Sequence, residues 1–128
     1  MDHRFAHHDE DGDVVATAGF VEACILLALD ESSAYGYQLK TTLDDFGLHG
    51  LDRGRIYRAL RSMEAAGLVI SQWDTTTRGP ARRNYDLLPA GREALQAQVL
   101  SVRRQRRQLS RFLSRFQRVN NAGSEAVA

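Results

Sequence analysis

The 128-residue sequence has a single cysteine and no apolar stretch near the roughly 20 residues that a membrane-spanning helix needs. Cys24 therefore cannot form an intramolecular disulfide, and its place in the apolar run 23–29 predicts a small buried side chain rather than a reactive thiol. The acidic, histidine-rich start of the chain is opposite in layout to a secretory signal peptide. We expect a cytoplasmic protein that makes no contact with a membrane.

The sequence also lacks the motifs on which most enzymes depend. It has no glycine-rich phosphate loop after a predicted strand and no nucleophile with a suitably placed base. His3, His7 and His8 are spaced closely enough to hold a metal, but no cysteine or carboxylate is placed to complete the site. We therefore expect no enzymatic activity, no cofactor and no metal site, and we interpret residues 1–13 as a flexible, solvated arm.

The net charge of +1 conceals a strong segregation of charge along the chain. Residues 1–13 hold five acids and one arginine, residues 14–91 hold nine acids and eight bases, and residues 92–118 hold eight arginines and one acid. A basic segment creates a local field that attracts polyanions. The distribution of charge therefore indicates a polyanionic partner more strongly than the net charge does.

Apolar periodicity predicts three short helices in the first half of the chain, over 14–29, 34–46 and 53–66. Ser32 and Ser33 offer hydroxyl caps for the second helix, and Asp52 is a suitable N-cap for the third. The third helix should end at Gly67, which can adopt the left-handed conformation of a helix C-terminus, with Leu68 supplying the apolar contact that follows such an end.

The second half of the chain predicts a hairpin and a long helix. Residues 68–75 and 83–88 are strand-like in composition and are joined by a long basic turn. Pro89 fits the first turn of a final helix that runs to about Arg118, and residues 119–128 are predicted to be a disordered tail. The fold class is mainly α with a small β-hairpin: a winged helix-turn-helix domain over 14–88, followed by a C-terminal dimerisation helix over 89–118.

The third helix separates an apolar face from a basic face. The predicted core face is formed by Ile56, Leu60 and Met63. The outward face is formed by Arg55, Arg58, Arg61 and Ser62, and Arg53 at the start of the helix is a further candidate for contact with DNA. A helix fits the major groove of DNA, and an arginine can bind both acceptors of a guanine edge. Because Glu64 is the only acid between Arg53 and Gly67, we favour DNA contact over an ordinary solvated face.

Two neighbouring segments offer further candidates for contact with DNA. The hairpin contributes a basic tip that can lie along a phosphate backbone or place an arginine in a narrow minor groove. Its candidates are Thr77, Arg78, Arg82 and Arg83. The second helix normally crosses the backbone, and its candidates are Tyr37, Gln38 and Lys40. For the tyrosines at 35 and 37 we favour packing of one ring in the core, with Gly36 allowing a close approach of helices.

Several short motifs follow one another in a recognisable order: 35–39 (YGYQL), 54–60 (GRIYRAL), 63–69 (MEAAGLV), 82–87 (RRNYDL) and 90–92 (AGR). In this order they resemble the PadR family of bacterial transcriptional regulators, over about residues 20–100. The resemblance implies a homodimeric repressor whose C-terminal helix makes the dimer, in the subgroup with one such helix. It places Tyr57 and Arg58 on the Tyr-Arg pair of the recognition helix, and Arg82 and Arg83 on the wing arginines.

The resemblance also implies a regulated protein, since in many members a small molecule, often a phenolic compound or a drug, releases the DNA. This chain departs from the family pattern in its Leu88-Pro89, where Leu-Thr is more usual, and in its acidic N-terminal arm and arginine-rich last helix. The acidic arm and the arginine-rich helix argue against the usual hydrophobic effector pocket.

The last helix carries apolar residues with the alternating spacing of a coiled-coil seam. The seam is Leu95, Val99, Val102, Arg106, Leu109, Leu113 and Phe116. The small domain cannot bury such a seam alone, and a second copy of the chain is the simplest partner. A symmetric dimer would place two recognition helices about one turn of DNA apart, which predicts a pseudo-palindromic operator.

Arg106 interrupts this seam, and three explanations are open. Its stem packs while its guanidinium reaches solvent; or the acidic N-terminal arm docks on the basic helix; or Arg103, Arg106 and Arg107, doubled by symmetry, form a pocket for an anionic effector such as a nucleotide. We rank them in that order. For the chain as a whole, the alternative to a DNA-binding regulator is a dimeric adaptor that binds protein and not DNA.

Overall fold

A computed structural model of the protein describes residues 19–76 and 78–127, without the side chains of 124–127. Its elements are α1 (Phe20–Glu31), β1 (Ala34–Tyr35), α2 (Gly36–Asp45), α3 (Arg53–Ala65), β2 (Val69–Asp74), β3 (Arg82–Leu87) and α4 (Pro89–Val127). The N-terminal arm with its histidines, the predicted start of the first helix at 14–18, and Thr77 lie outside the described residues.

The ends of α3 form as the sequence predicts. The Asp52 carboxylate caps the helix by accepting a hydrogen bond from the Arg55 backbone N–H at 2.6 Å. At the other end Gly67 adopts a φ of 78°, and the Leu68 N–H donates to the Met63 carbonyl oxygen at 2.9 Å. This closing pattern satisfies carbonyl groups that have no partner within the helix. Both ends of the recognition-type helix are therefore fixed by local chemistry.

The start of α2 differs from the prediction. Neither serine caps the helix: Ser32 ends α1, its N–H donating to the Ala28 carbonyl oxygen at 3.2 Å. Tyr35 is the N-cap residue of α2, and its backbone N–H donates to Gln38 Oε1 at 2.9 Å. Residues 34 and 35 are extended and pair with β3, which the sequence did not predict because two residues are too few to show an alternating pattern.

The sheet is antiparallel and has the strand order β1-β3-β2. It closes over the three short helices, whose buried side chains form one apolar core. The core tyrosine is Tyr85 of β3, which is 2% exposed. The expectation that Tyr35 or Tyr37 packs in the core is therefore wrong: both rings lie near the surface, where they stack on each other 5.8 Å apart.

The last helix is longer than predicted. α4 begins at Pro89 as expected but continues to Val127, so residues 119–127 are helical and not a disordered tail. Its 39 residues span about 58 Å at about 1.5 Å per residue. The first turns dock on the domain, where Gly91 has no room for a Cβ because the Leu68 carbonyl oxygen occupies that space. From Arg103 to Gly123 every residue is exposed.

None of the described helices combines the length and apolar character required to cross a membrane.

Candidate nucleic-acid interface

The exposed side of α3 carries most of the predicted basic residues. Arg53, Arg58, Arg61 and Ser62 are all exposed, whereas Ile56, Ala59, Leu60 and Met63 are buried against the core. The two faces arise because residues three or four positions apart lie on the same side of a helix. The helix is thus anchored by its apolar side and presents guanidinium groups to solvent on the other.

Arg55 departs from this pattern, and its assignment to the free face is corrected. Its guanidinium donates to Glu22 Oε1 of α1 at 2.9 Å, and its side chain is 33% exposed. Arg55 lies on the side of α3 that faces α1, and the Glu22 carboxylate of α1 is within reach of its guanidinium. Arg55 therefore joins α3 to α1 and has less freedom to reach a ligand than Arg58 or Arg61.

Tyr57 occupies the space left by a missing side chain. A Cβ at Gly36 would lie 2.6 Å from Tyr57 Cε1, so the tyrosine ring rests directly on the backbone at the start of α2. The predicted close approach at Gly36 is therefore present, between this glycine and α3. Tyr57 remains about one-third exposed, at 37%, which leaves its edge accessible to solvent.

Two candidates on α2 already have partners within the protein. The Gln38 side-chain oxygen accepts the bond that caps the helix, which leaves its amide N–H groups for another contact. Lys40 Nζ lies 3.0 Å from Asp44 Oδ1, one turn along the same helix. Exposed pairs of this kind are weak, on the order of 0.3–0.5 kcal/mol, so Lys40 can exchange its partner for a stronger anion.

The two arginines at the start of β3 are each held by an aromatic ring. Arg82 Cζ lies 5.3 Å from the centre of the Tyr37 ring, and its guanidinium also donates to the Tyr37 hydroxyl at 3.2 Å. Arg83 Cζ lies 5.0 Å from the centre of the Trp73 ring. Sequence reasoning missed Trp73. The available signal was the alternation of β2, which gives Val69, Ser71 and Trp73 a common face.

Tyr35 and Asp74 connect the base of the wing to the start of α2. The Tyr35 hydroxyl donates to the Asp74 carboxylate, which also accepts the Thr76 hydroxyl at 2.6 Å and the Thr76 backbone N–H at 2.9 Å. These bonds, led by that of the Thr76 hydroxyl, lower the Asp74 pKa to about 2. Asp74 is therefore ionised at neutral pH and fixes the hairpin to the helical part of the domain.

An open groove of about 320 Å³ lies between α3 and the wing. We call it the aromatic–arginine groove, and its lining is Tyr35, Gly36, Tyr37, Tyr57, Arg61, Trp73, Ala81, Arg82, Arg83 and Tyr85. It brings Arg61 of α3 together with both wing arginines, which lie about 20 residues away in sequence. Arg78 is exposed at the hairpin tip, outside this lining.

A second exposed surface follows α4. Leu109, Phe112, Leu113, Phe116 and Val119 are each between 59% and 68% exposed. The predicted seam did not include Phe112 and Val119. Phe112 lies three residues after Leu109 and Val119 three residues after Phe116, so both lie beside the seam on the helix surface. The apolar face is therefore wider than a single seam of the predicted spacing.

Leu95 is the one seam residue whose assignment is corrected. It is 7% exposed and belongs to the core of its own chain, because α4 packs against α1 at this point. Val99 and Val102 line a cavity of about 310 Å³ between the same helices, together with Arg103 and Arg106. Arg107 is exposed and does not line this cavity, so the structure brings together two of the three residues of the predicted effector site.

The arginines of α4 lie mainly on the side opposite the apolar face. At about 100° per residue, five of them fall within one third of the helix circumference. This outer ridge is formed by Arg104, Arg107, Arg111, Arg115 and Arg118. Arg103 and Arg106 instead line the cavity between α1 and α4. Among the described residues, no group of histidine, cysteine or acidic side chains is placed to hold a metal.

The Transcriptional regulator PadR-like family matches residues 25–97, more than half of the chain. The chain belongs to this family. Its similarity to solved structures agrees: a PadR-like regulator from Bacillus cereus is 28% identical with a TM-score of 0.66, covering 74% of this chain and 92% of that one. A PadR family regulator from Clostridium difficile is 25% identical with the same TM-score, covering 74% and 99%.

A Bacillus subtilis PadR crystallised with operator DNA shares the fold, at 17% identity and a TM-score of 0.56, covering 62% of this chain and 46% of that one. No protein of curated function matches the chain in sequence. The PadR-like assignment confirms the fold class predicted from the sequence, a winged helix-turn-helix domain with a long C-terminal helix.

Proposed function

We propose that this PadR-like protein is a homodimeric transcriptional repressor that binds a pseudo-palindromic DNA site. The observation that carries the proposal is the convergence of Arg61 from α3 with Arg82 and Arg83 from the wing on one groove. Two separate segments of chain thus present positive charge to one ligand surface. A solved PadR of the same fold is in complex with operator DNA, which supports the same use here.

In the proposed complex the exposed side of α3 enters the major groove. Arg58 and Arg61 are the candidates for base contacts, since an arginine can bind both acceptors of a guanine. Arg53, Tyr57 and Ser62 lie on or beside the same side of the helix and are candidates for further contacts. Gln38 and Lys40 of α2 and Arg78 of the hairpin tip are candidates for contact with the flanking backbone, whereas Arg55 acts mainly through its ion pair with Glu22.

A second copy of the chain is the proposed partner of α4. The exposed apolar side chains from Leu109 to Val119 form a continuous face of a kind that monomeric soluble proteins rarely leave uncovered. Burial of each large apolar side chain contributes about 1.5–3 kcal/mol. The outer arginine ridge faces away from this surface, so the proposed dimer does not bring the ridge arginines together.

The proposed effector site is the cavity between α1 and α4. Its wall combines apolar side chains such as Phe20, Leu27 and Phe46 with the two guanidinium groups of Arg103 and Arg106. This chemistry suits a ligand with an apolar body and one negative charge. Because the cavity adjoins the proposed dimer surface, a ligand there could change the spacing of the two recognition helices and so release DNA.

Selection from a random duplex library tests the proposal. Full-length protein should enrich a site with two inverted half-sites whose centres lie about 10 base pairs, or a multiple, apart. Enrichment of one asymmetric half-site would contradict the dimeric arrangement. A stable dimer that enriches no sequence would favour the alternative function, an adaptor that binds protein through a winged-helix scaffold.

A further inference from the structure

The wing arginines differ from ordinary exposed arginines because each lies over an aromatic ring of the same chain. Arg82 packs on Tyr37 and Arg83 on Trp73, with guanidinium-to-ring distances of 5.3 Å and 5.0 Å. Both side chains also line the aromatic–arginine groove, together with Arg61 of α3. Within the described residues neither forms an ion pair with a carboxylate.

Stacking determines which part of each guanidinium stays available. The ring lies on one side of each group, and apart from the Arg82 N–H that donates to the Tyr37 hydroxyl, the N–H donors remain able to bind oxygen. Edge donors in a fixed fork match the geometry of a phosphate. A minor-groove contact instead needs an arginine that extends away from the protein, and Arg78 at the hairpin tip is placed for that role.

The Tyr37 ring is itself held by its neighbours. Tyr37 stacks on Tyr35 with an angle of 6° between the ring planes, and the Tyr35 hydroxyl is bonded to Asp74 at the end of β2. Trp73 precedes Asp74 in β2, and its backbone pairs with that of Arg83 in β3. The aromatic residues therefore hold both guanidiniums at the base of the wing, on the groove that Arg61 also lines.

We propose that the aromatic–arginine groove binds a backbone phosphodiester of DNA through Arg82 and Arg83, with Tyr37 and Trp73 as positioning residues. The proposal rests on the proposed function and adds its own claim: the base of the wing binds the backbone without regard to sequence. Pre-ordering lowers the conformational entropy that each arginine loses on binding, so removal of the ring weakens binding even though the charge remains.

The test compares full-length Trp73→Leu, Trp73→Phe, Arg83→Gln and the double variant Trp73→Leu/Arg83→Gln. Affinity is measured by fluorescence anisotropy on the selected site and on a scrambled duplex, over a range of salt concentrations. We expect Arg83→Gln to lower the slope of log affinity against log salt by about one. Trp73→Leu should lower the affinity for both duplexes by the same factor, and Trp73→Phe should keep most of the wild-type affinity. In the double variant, Trp73→Leu should cause no loss of affinity beyond that of Arg83→Gln alone.

Two further readouts separate positioning from general damage. Trp73 is 61% exposed, so its removal should leave the thermal unfolding temperature near that of the wild type. It is also the only tryptophan in the chain, so Arg83→Gln should alter the emission of the free protein by removing the stacked guanidinium. An unchanged emission spectrum would overturn the stacked arrangement.

Each of the remaining outcomes contradicts a different claim. If Trp73→Leu weakens binding equally with and without Arg83, the tryptophan does not act through the arginine and its positioning role is overturned. If the loss falls on the selected site alone, the wing reads bases and phosphodiester binding by the groove is overturned, while the proposed function stands. If the wild-type protein binds neither duplex, the proposed function fails, and phosphodiester binding by the groove fails with it.

Discussion

The ring of Tyr57 lies on the backbone of Gly36, so close that a single added Cβ would be 2.6 Å from Tyr57 Cε1. This contact joins the start of α2 to the middle of α3 and sets the distance between the two helices of the helix-turn-helix. It also orients Tyr57, whose free edge borders the aromatic–arginine groove.

Gly36→Ala should therefore displace Tyr57 and weaken both folding and DNA binding. Overpacking of this kind costs about 1–3 kcal/mol in the free energy of unfolding. Chemical denaturation and DNA titration would measure the two effects. Gly123→Ala is the control, because nothing lies within 4 Å of its added Cβ and it is in a helix, where alanine is favoured by roughly 0.5–1 kcal/mol. Equal stability of wild type and Gly36→Ala would contradict the contact.

The Arg55–Glu22 ion pair should affect stability more than DNA recognition. Both side chains are about one-third exposed, so solvent screening limits the pair to about 1 kcal/mol or less. Arg55→Gln is expected to lower the free energy of unfolding by that amount and to reduce DNA affinity less than Arg58→Gln. A larger loss of affinity for Arg55→Gln would show that Arg55 leaves Glu22 to bind DNA.

The apolar face of α4 should hold the dimer together. Leu113→Asp places a charge in the centre of that face and should shift the protein to monomers in analytical ultracentrifugation. Leu100→Asp is a matched control, because Leu100 is equally apolar and 58% exposed but lies on the outer side with the arginine ridge. If both variants dissociate, or neither does, the proposed surface is the wrong one.

Cys24 should be inert in the folded protein. Burial raises the pKa of its thiol from 9.0 to about 11, and only the thiolate reacts readily with disulfide reagents. We expect slow modification at pH 8 and rapid modification after unfolding in denaturant. Because the folded pKa is raised, the contribution of the neutral thiol to stability is complete below pH 9 and is lost as pH rises toward 11. Rapid modification without denaturant would contradict burial.

The sequence predicted the helices and the hairpin well because local signals determine them. Asp52 and Gly67 mark the two ends of α3, and the apolar spacing of Ile56, Leu60 and Met63 identifies the buried side. The same reasoning placed Arg58 and Arg61 on the exposed face. These features need only a few neighbouring residues to be recognised.

Features that depend on distant partners were missed. β1 forms because residues 34 and 35 meet β3 some 50 residues later, and Arg55 turns inward because Glu22 of α1 lies opposite. Leu95 fits the spacing of a dimer seam, yet α1 of the same chain covers it. A periodic pattern predicts that a side chain is buried but does not distinguish burial within the same chain from burial against a second copy.

The central claim is that the free side of α3 recognises DNA, and equilibrium binding to the selected site tests it most directly. Arg58→Gln/Arg61→Gln is compared with Arg111→Gln/Arg118→Gln, which removes the same charge from the outer ridge of α4. Each lost base contact should cost about 1–3 kcal/mol, so the first variant should bind the selected site far more weakly and discriminate it poorly from a scrambled duplex. The ridge variant should keep that discrimination. Equal loss in the two variants, or an unchanged preference in the first, would contradict the account.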